Sequence, residues 1–341
     1  MNISSNLRRQ MSENAARALR TLLQVGSGCT VLVVTDPPTR SIGQAFLEAA
    51  RQLDAAATLY ELPAIRPILA VPPDLEALLE SHRPAVPDLV FLNILAGIAE
   101  EAPMRVALIE RQTALGGRVG HAPGIDAGMM TEGPMSADYA ALAAAADALM
   151  GRFDQADSAR LTAPGGTDLV LGIRGRAFQS DLAIRNGAMG NLPAGEIWCA
   201  PVEDDADGVI VCDGSIGGLG KVEQPLRLEV RRGRLRRLAG GTPALLERLE
   251  RLLAVDDDAR IVGELGIGLN PGARITGNLL EDEKACRTAH IAFGYNLDMP
   301  GGRNGSKTHR DFLFHRPALA VDFAGGRREV LLDDGRVTEA E

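Results

Sequence analysis

Apolar positions in the first half of the chain switch repeatedly between helical spacing and short continuous runs. Residues 12–24 place Ala15, Leu19, Leu22 and Leu23 on one face, which predicts an amphipathic helix. The turn G-S-G-C-T follows. The run Val31–Val34, ending at Asp36, is short and β-branched and predicts a buried strand. The pattern continues with a helix over Ser41–Leu53, a strand over Ala57–Leu62 and a short helix near Leu75–Glu80. A second buried strand in D-L-V-F-L-N and a helix over 99–114 complete it. Such alternation predicts an α/β domain with a largely parallel sheet. The glycines of G-S-G-C-T precede their strand, whereas a phosphate loop follows a strand and opens a helix, so a dinucleotide site is not expected there. The alanine-rich A-D-Y-A-A-L-A-A-A-A-D-A-L-M is a strong helix former and closes this domain, residues 1–158.

The pattern then changes. S-A-R-L-T and T-D-L-V-L flank a turn at Pro164–Gly166. Further short strands follow in A-G-E-I-W-C-A-P, D-G-V-I-V-C-D-G-S and P-L-R-L-E-V-R-R-G-R-L-R-R-L. One helix, Pro243–Leu253, interrupts them. Residues 159–341 are therefore expected to form an α+β domain rich in antiparallel strands. A turn at Gly233 makes the arginine-rich stretch around Arg231, Arg232, Arg234, Arg236 and Arg237 a hairpin, and alternation puts several of these arginines on one solvated face.

A chain of 341 residues can bury two cores, and with aromatics at 4% these are built from Ala, Leu, Val and Ile. The net charge of −9 argues against nucleic acid as the main partner, because phosphate contacts need a basic surface. No apolar run approaches the roughly 20 residues of a membrane helix. The charged N-terminus lacks the apolar core of a signal peptide. Cys29, Cys199, Cys212 and Cys286 lie far apart without a C-x-x-C pair, which fits reduced thiols. A cytoplasmic protein is expected, with no membrane or nucleic-acid partner.

Candidate chemistry concentrates between Glu264 and Asp311, a glycine-rich stretch holding His290 and His309, two of the five histidines. Glu196, in A-G-E-I-W, is a further carboxylate candidate. Carboxylates and imidazoles among glycine turns suit a divalent ion such as zinc, with manganese or cobalt as alternatives. His309 and Asp311, at i and i+2, share one face of a strand. H-x-D alone also describes a simple hydrogen bond along a strand, so the argument rests on the coincidence of these residues in one segment.

N-L-P-A-G-E-I-W-C-A-P-V-E-D, E-L-G-I-G-L-N-P, D-E-K-A-C-R-T-A-H-I-A-F-G and N-G-S-K-T-H-R-D-F resemble the aminopeptidase T family of metallo-aminopeptidases. So do G-R-V-G-H-A-P-G-I-D-A-G-M-M and T-A-P-G-G-T-D-L-V-L, so the resemblance spans most of residues 20–335. It implies a two-domain chain, a pair of metal ions in the C-terminal domain and a homodimer. The family's ligand pattern falls on Glu196, Glu264, His290, His309 and Asp311. It implies hydrolysis of an amide bond in a small-molecule or short-peptide substrate, with N-terminal amino-acid release its most specific form. Two ions would lower the pKa of a shared water and polarise the scissile carbonyl. Glu196 or Glu264 would bridge the ions or act as general base, a choice the residues leave open. The family's peptidases carry a tyrosine seven residues after the first histidine. Leu297 stands there in this chain, and Tyr295, two residues earlier, is the candidate replacement. The same stretch also resembles 2,5-dihydroxypyridine dioxygenases, mononuclear Fe(II) ring-cleaving enzymes, which share the H-x-D strand. Those have a histidine where this chain has Glu264.

Overall fold

The computed structural model describes residues 5–81 and 88–339. Its contacts divide the chain into two compact units. The first takes the described residues up to Ala143 together with Asp181–Gly195; the second takes Ala144–Ser180 and the described residues from Glu196 onward.

In the first unit, β1 (Thr30–Thr35), β2 (Ala56–Glu61), β3 (Leu89–Leu95), β4 (Arg118–Pro123) and the short β8 (Met189–Asn191) form a sheet in the order β2-β1-β3-β4-β8. Every pairing is parallel. All seven residues of β3 are buried, as a parallel strand covered on both faces requires. The core on one side joins Leu32, Val34, Phe91, Leu95 and Val119 to Leu75, Met104 and Leu108 from the helices Pro73–Ser81 and Ala102–Ala114. The Gly26–Cys29 turn lies before β1, so no glycine loop opens a helix there.

The N-terminal helix spans Ser5–Leu22, starting earlier than periodicity predicts. Its first turns carry Arg8, Arg9 and Gln10, good helix formers that leave no apolar signal. It ends before Gln24, whose φ of 51° no helix accommodates.

The second unit holds two antiparallel sheets. One has eight strands, starting with the hairpin β13 (Leu226–Arg231) and β14 (Arg234–Gly240). Leu226, Leu228 and Val230 point inward while Arg227 and Arg231 face out. The turn uses positive φ at Arg232 and Gly233, the backbone a tight hairpin needs. A Cβ at Gly233 would lie 1.7 Å from the Glu203 carbonyl, so only glycine fits. The helix Pro243–Leu252 follows, capped by Thr242, whose hydroxyl accepts from the Leu245 N–H.

The other sheet carries the candidate site. It runs β12-β11-β17-β16-β15-β9-β7, where β7 is Gln179–Ser180, β9 Glu196–Cys199, β11 Ser215–Ile216 and β12 Gly220–Lys221. Its central strands are β15 (Val262–Gly268), β16 (Thr288–Gly294) and β17 (His309–His315), and β15 and β16 are buried throughout. The fold is thus an α/β part with a parallel sheet and an α+β part dominated by antiparallel strands. All four cysteines are free. Among the described residues no helix is long and apolar enough to cross a membrane.

Candidate metal centre

Strand register brings the five predicted ligands onto one sheet face. Gly268 of β15 lies opposite Glu196 of β9. Gly266 lies opposite His290 of β16, and Glu264 opposite Ala292. Ala292 in turn faces Asp311 of β17, and Gly294 faces His309. Cross-strand partners share a face, and every second residue along a strand returns to it. Glu196, Glu264, His290, His309 and Asp311 therefore all project from the same side. Trp198, opposite Gly266, stands on that side too.

The glycine spacing of E-L-G-I-G has a steric reason. A Cβ at Gly266 would lie 1.9 Å from His290 Nε2, so the imidazole occupies the space a side chain would fill. Gly217 does the same for Asp311. Its N–H donates to the Asp311 carbonyl at 3.0 Å, and a Cβ there would sit 2.9 Å from Asp311 Oδ2. Gly217→Ala is accordingly expected to tilt the Asp311 carboxylate and weaken metal binding with little loss of fold. Metal titration beside a thermal melt checks this.

The side chains form two groups joined by Glu264. Its Oε2 lies 2.9 Å from His309 Nε2, which is 3.4 Å from Asp311 Oδ1. Its Oε1 lies 3.4 Å from His290 Nε2, which is 3.5 Å from Glu196 Oε2. One ligand atom from each of Glu264, His309 and Asp311 fits within 4.8 Å of the others. His290 is 1% exposed and Asp311 3%, whereas the His309 ring keeps 30% of its surface open. The His309 edge is therefore the side from which a substrate can approach.

Electrostatics in this cluster are dominated by mutual neutralisation. Burial pushes His290 down, but hydrogen bonding to Glu264 and the charges of Glu196, Glu264 and Asp311 outweigh it and raise its pKa to about 9. Burial likewise opposes the charge on His309, yet Asp311 and Glu264 raise it well above the ordinary value. Burial favours neutral Glu264 and Asp311, but the two imidazoles hold both carboxyls below their usual range.

A pH dependence follows for protein stripped of metal. The histidine contribution to stability is complete below the ordinary value of 6.5 and is lost as pH rises through about 9. The carboxylate contribution is present above the usual carboxylate range and is lost as pH falls below it. The melting temperature of chelator-treated protein should peak near about pH 5–6 and fall toward about pH 9. His290→Ala should flatten the alkaline limb; a melting temperature that climbs through this window would contradict the assignment.

His309 is oriented from behind. Its Nδ1 lies 2.7 Å from the Tyr295 carbonyl, which can only accept, so Nδ1 carries the proton and Nε2 faces the carboxylates. The segment after β16 is anchored by Tyr295 N–H donating to Thr308 O and by Asn296, whose amide donates to Gly263 O. Glu203 ties the same segment, accepting from the Arg303 main-chain N–H and from Arg176. Tyr295 thus contributes its main chain to the site, and its residue is 37% exposed; Leu297 is 54% exposed. The glycine spacing after Glu264 is legible in the sequence as room for close approach, and Gly266 is the position that uses it, whereas Gly217 and Lys284 carry no signal of their roles.

Three carboxylates and two imidazoles on one largely buried sheet face, with glycines cut away around them, suit a divalent ion and define a candidate metal-dependent hydrolytic centre. Residues 128–337 match the thermophilic metalloprotease (M29) family model. The chain belongs to that family and is a metallopeptidase-type hydrolase. No curated protein matches the chain significantly. Among solved structures, it resembles 2,5-dihydroxypyridine dioxygenase from Pseudomonas putida, at 18% identity and a TM-score of 0.75, over 100% of this chain and 99% of that one. It also resembles wild-type AmpT from Thermus thermophilus, at 19% identity and a TM-score of 0.73, over 97% of this chain and 99% of that one. At these identities the likeness is one of fold.

Proposed function

We propose that this chain is a dinuclear metallo-aminopeptidase of the aminopeptidase T type, releasing an N-terminal amino acid from a short peptide. The observation that carries this reading is the placement of Glu264. Its two oxygens face different ligand groups, His309 with Asp311 on one side and His290 with Glu196 on the other. A carboxylate so placed suits a bridge between two ions, and Glu196 suits a terminal ligand of the His290 group. When bound, two divalent ions (zinc, cobalt or manganese) supply Lewis acidity that polarises a carbonyl and makes water nucleophilic at neutral pH. The protein's part is to hold His309 in one tautomer through Tyr295, to exclude water around His290, and to leave the His309 edge open. The four free cysteines fit a cytoplasmic enzyme.

The dioxygenase reading is less well supported. The compact group Glu264, His309 and Asp311 offers one imidazole and two carboxylates. A facial triad for Fe(II) uses two imidazoles and one carboxylate. Metal analysis with an activity assay distinguishes them. Two ions per chain and release of the first residue from free, but not N-acetylated, peptides are expected. One iron per chain with oxygen consumption would refute the hydrolase. Tyr295→Phe keeps the main-chain carbonyl and is expected to keep metal binding; a fall in kcat alone would assign the hydroxyl to catalysis.

A further inference from the structure

Lys284 is fully buried, an unusual place for an ammonium. Its main chain is fixed just beyond the short helix Leu279–Asp282: the Lys284 N–H donates to Glu281 O, and Lys284 O accepts from the Asn270 N–H. Its Nζ donates to Glu196 Oε1 at 2.7 Å and also pairs with Glu283. A buried ammonium persists as a charge only when paired in this way. Glu196 therefore meets Lys284 through one oxygen, while the other lies 3.5 Å from His290 Nε2. Glu264 and Asp311 differ: among the described residues their ion pairs are to imidazoles, with no ammonium or guanidinium attached.

We propose that Lys284 is a positioning residue that makes the two halves of the centre unequal. It holds Glu196 Oε1, limits Glu196 to a single oxygen toward His290, and places a fixed positive charge behind that half. The inference rests on the dinuclear reading above. The Glu264–His309–Asp311 half then fills first, and the Glu264–His290–Glu196 half fills second, against the repulsion of the ammonium. Lys284 and the second ion share one carboxylate.

The test is titration of chelator-stripped, full-length protein with Mn²⁺, following free ion by electron paramagnetic resonance. Wild type should take two equivalents, the second more weakly. Lys284→Met, similar in length and uncharged, should tighten the second equivalent by about tenfold or more, because it removes the repelling charge and frees the second oxygen of Glu196, and should leave the first unchanged. Lys284→Arg should keep the wild-type order. If Lys284→Met does not fold, Glu283→Gln serves instead. It removes one counter-charge from the ammonium, which strengthens its hold on Glu196, and should weaken the second equivalent further. Two wild-type equivalents with the second unchanged or weakened in Lys284→Met, or unaffected in Glu283→Gln, would overturn the role of Lys284 alone. A single equivalent in wild type would overturn the dinuclear reading, and this inference with it.

Discussion

Glu264→Gln is expected to remove both ions and abolish hydrolysis while leaving the fold intact. The substitution keeps the shape of the side chain but takes away the charge that both ligand groups share. Losing an outer partner of a metal ligand costs roughly 10–100-fold in affinity, and losing a shared ligand should exceed that for both equivalents. The contrast with single-group changes is the informative part. Asp311→Asn should weaken only the equivalent bound with His309, and Glu196→Gln only the one bound with His290. Metal titration of the three variants checks this, with circular dichroism as the control for folding. A Glu264→Gln protein that still binds one ion with wild-type affinity would show that Glu264 serves one group alone.

The second large effect is expected from Gly266→Ala, a change that adds one methyl group and replaces no ligand residue. Its Cβ would lie 1.9 Å from His290 Nε2, far inside contact distance, on a strand buried on every residue. The imidazole must leave its position or β15 must separate from β16. Overpacking of this kind costs about 1–3 kcal/mol, and the displaced His290 should lose its ion and with it most of the activity. Adding His290→Ala to Gly266→Ala removes the colliding ring, so the double variant should be more stable than Gly266→Ala alone. That non-additivity is the signature of a direct steric pair. Measured by chemical denaturation, additive losses would place the damage elsewhere.

Much of this fold could be read from the hydrophobic pattern because its strongest elements obey simple rules. β1 and β3 are dominated by apolar runs, Val31–Val34 and Leu89–Leu92, as strands covered on both faces require, and β13 alternates between Leu226, Leu228 and Val230 and their charged neighbours. β8 was not legible. It pairs with β4 through Met189, Gly190 and Asn191, three residues with no period to detect, so nothing local announces that Asp181–Gly195 returns to the first unit. The short helix Leu279–Asp282 is silent in the sequence for a similar reason: one turn gives no amphipathic signal.

The candidate ligands were visible as residue types in a glycine-rich stretch, but their surroundings were not. D-E-K, at Asp282, Glu283 and Lys284, carries no apolar signal of burial, yet Asp282 and Lys284 are both buried. Lys284 is buried against a partner distant in sequence, Glu196, and Asp282 accepts from the Thr276 and Gly277 N–H groups of the turn just before its helix. Tyr295 shows the limit from the other side. Its aromatic ring is what the sequence displays, while the contact it makes with His309 is through a backbone carbonyl that any residue could supply.

The most direct measurement is an anomalous difference map from crystals of the zinc-loaded protein, recorded on both sides of the zinc absorption edge. Two peaks roughly 3.5–4 Å apart are predicted, each in contact with a different oxygen of Glu264, one beside His309 and Asp311 and the other beside His290 and Glu196. A single peak at saturating zinc, or two peaks of which only one touches Glu264, would contradict the account.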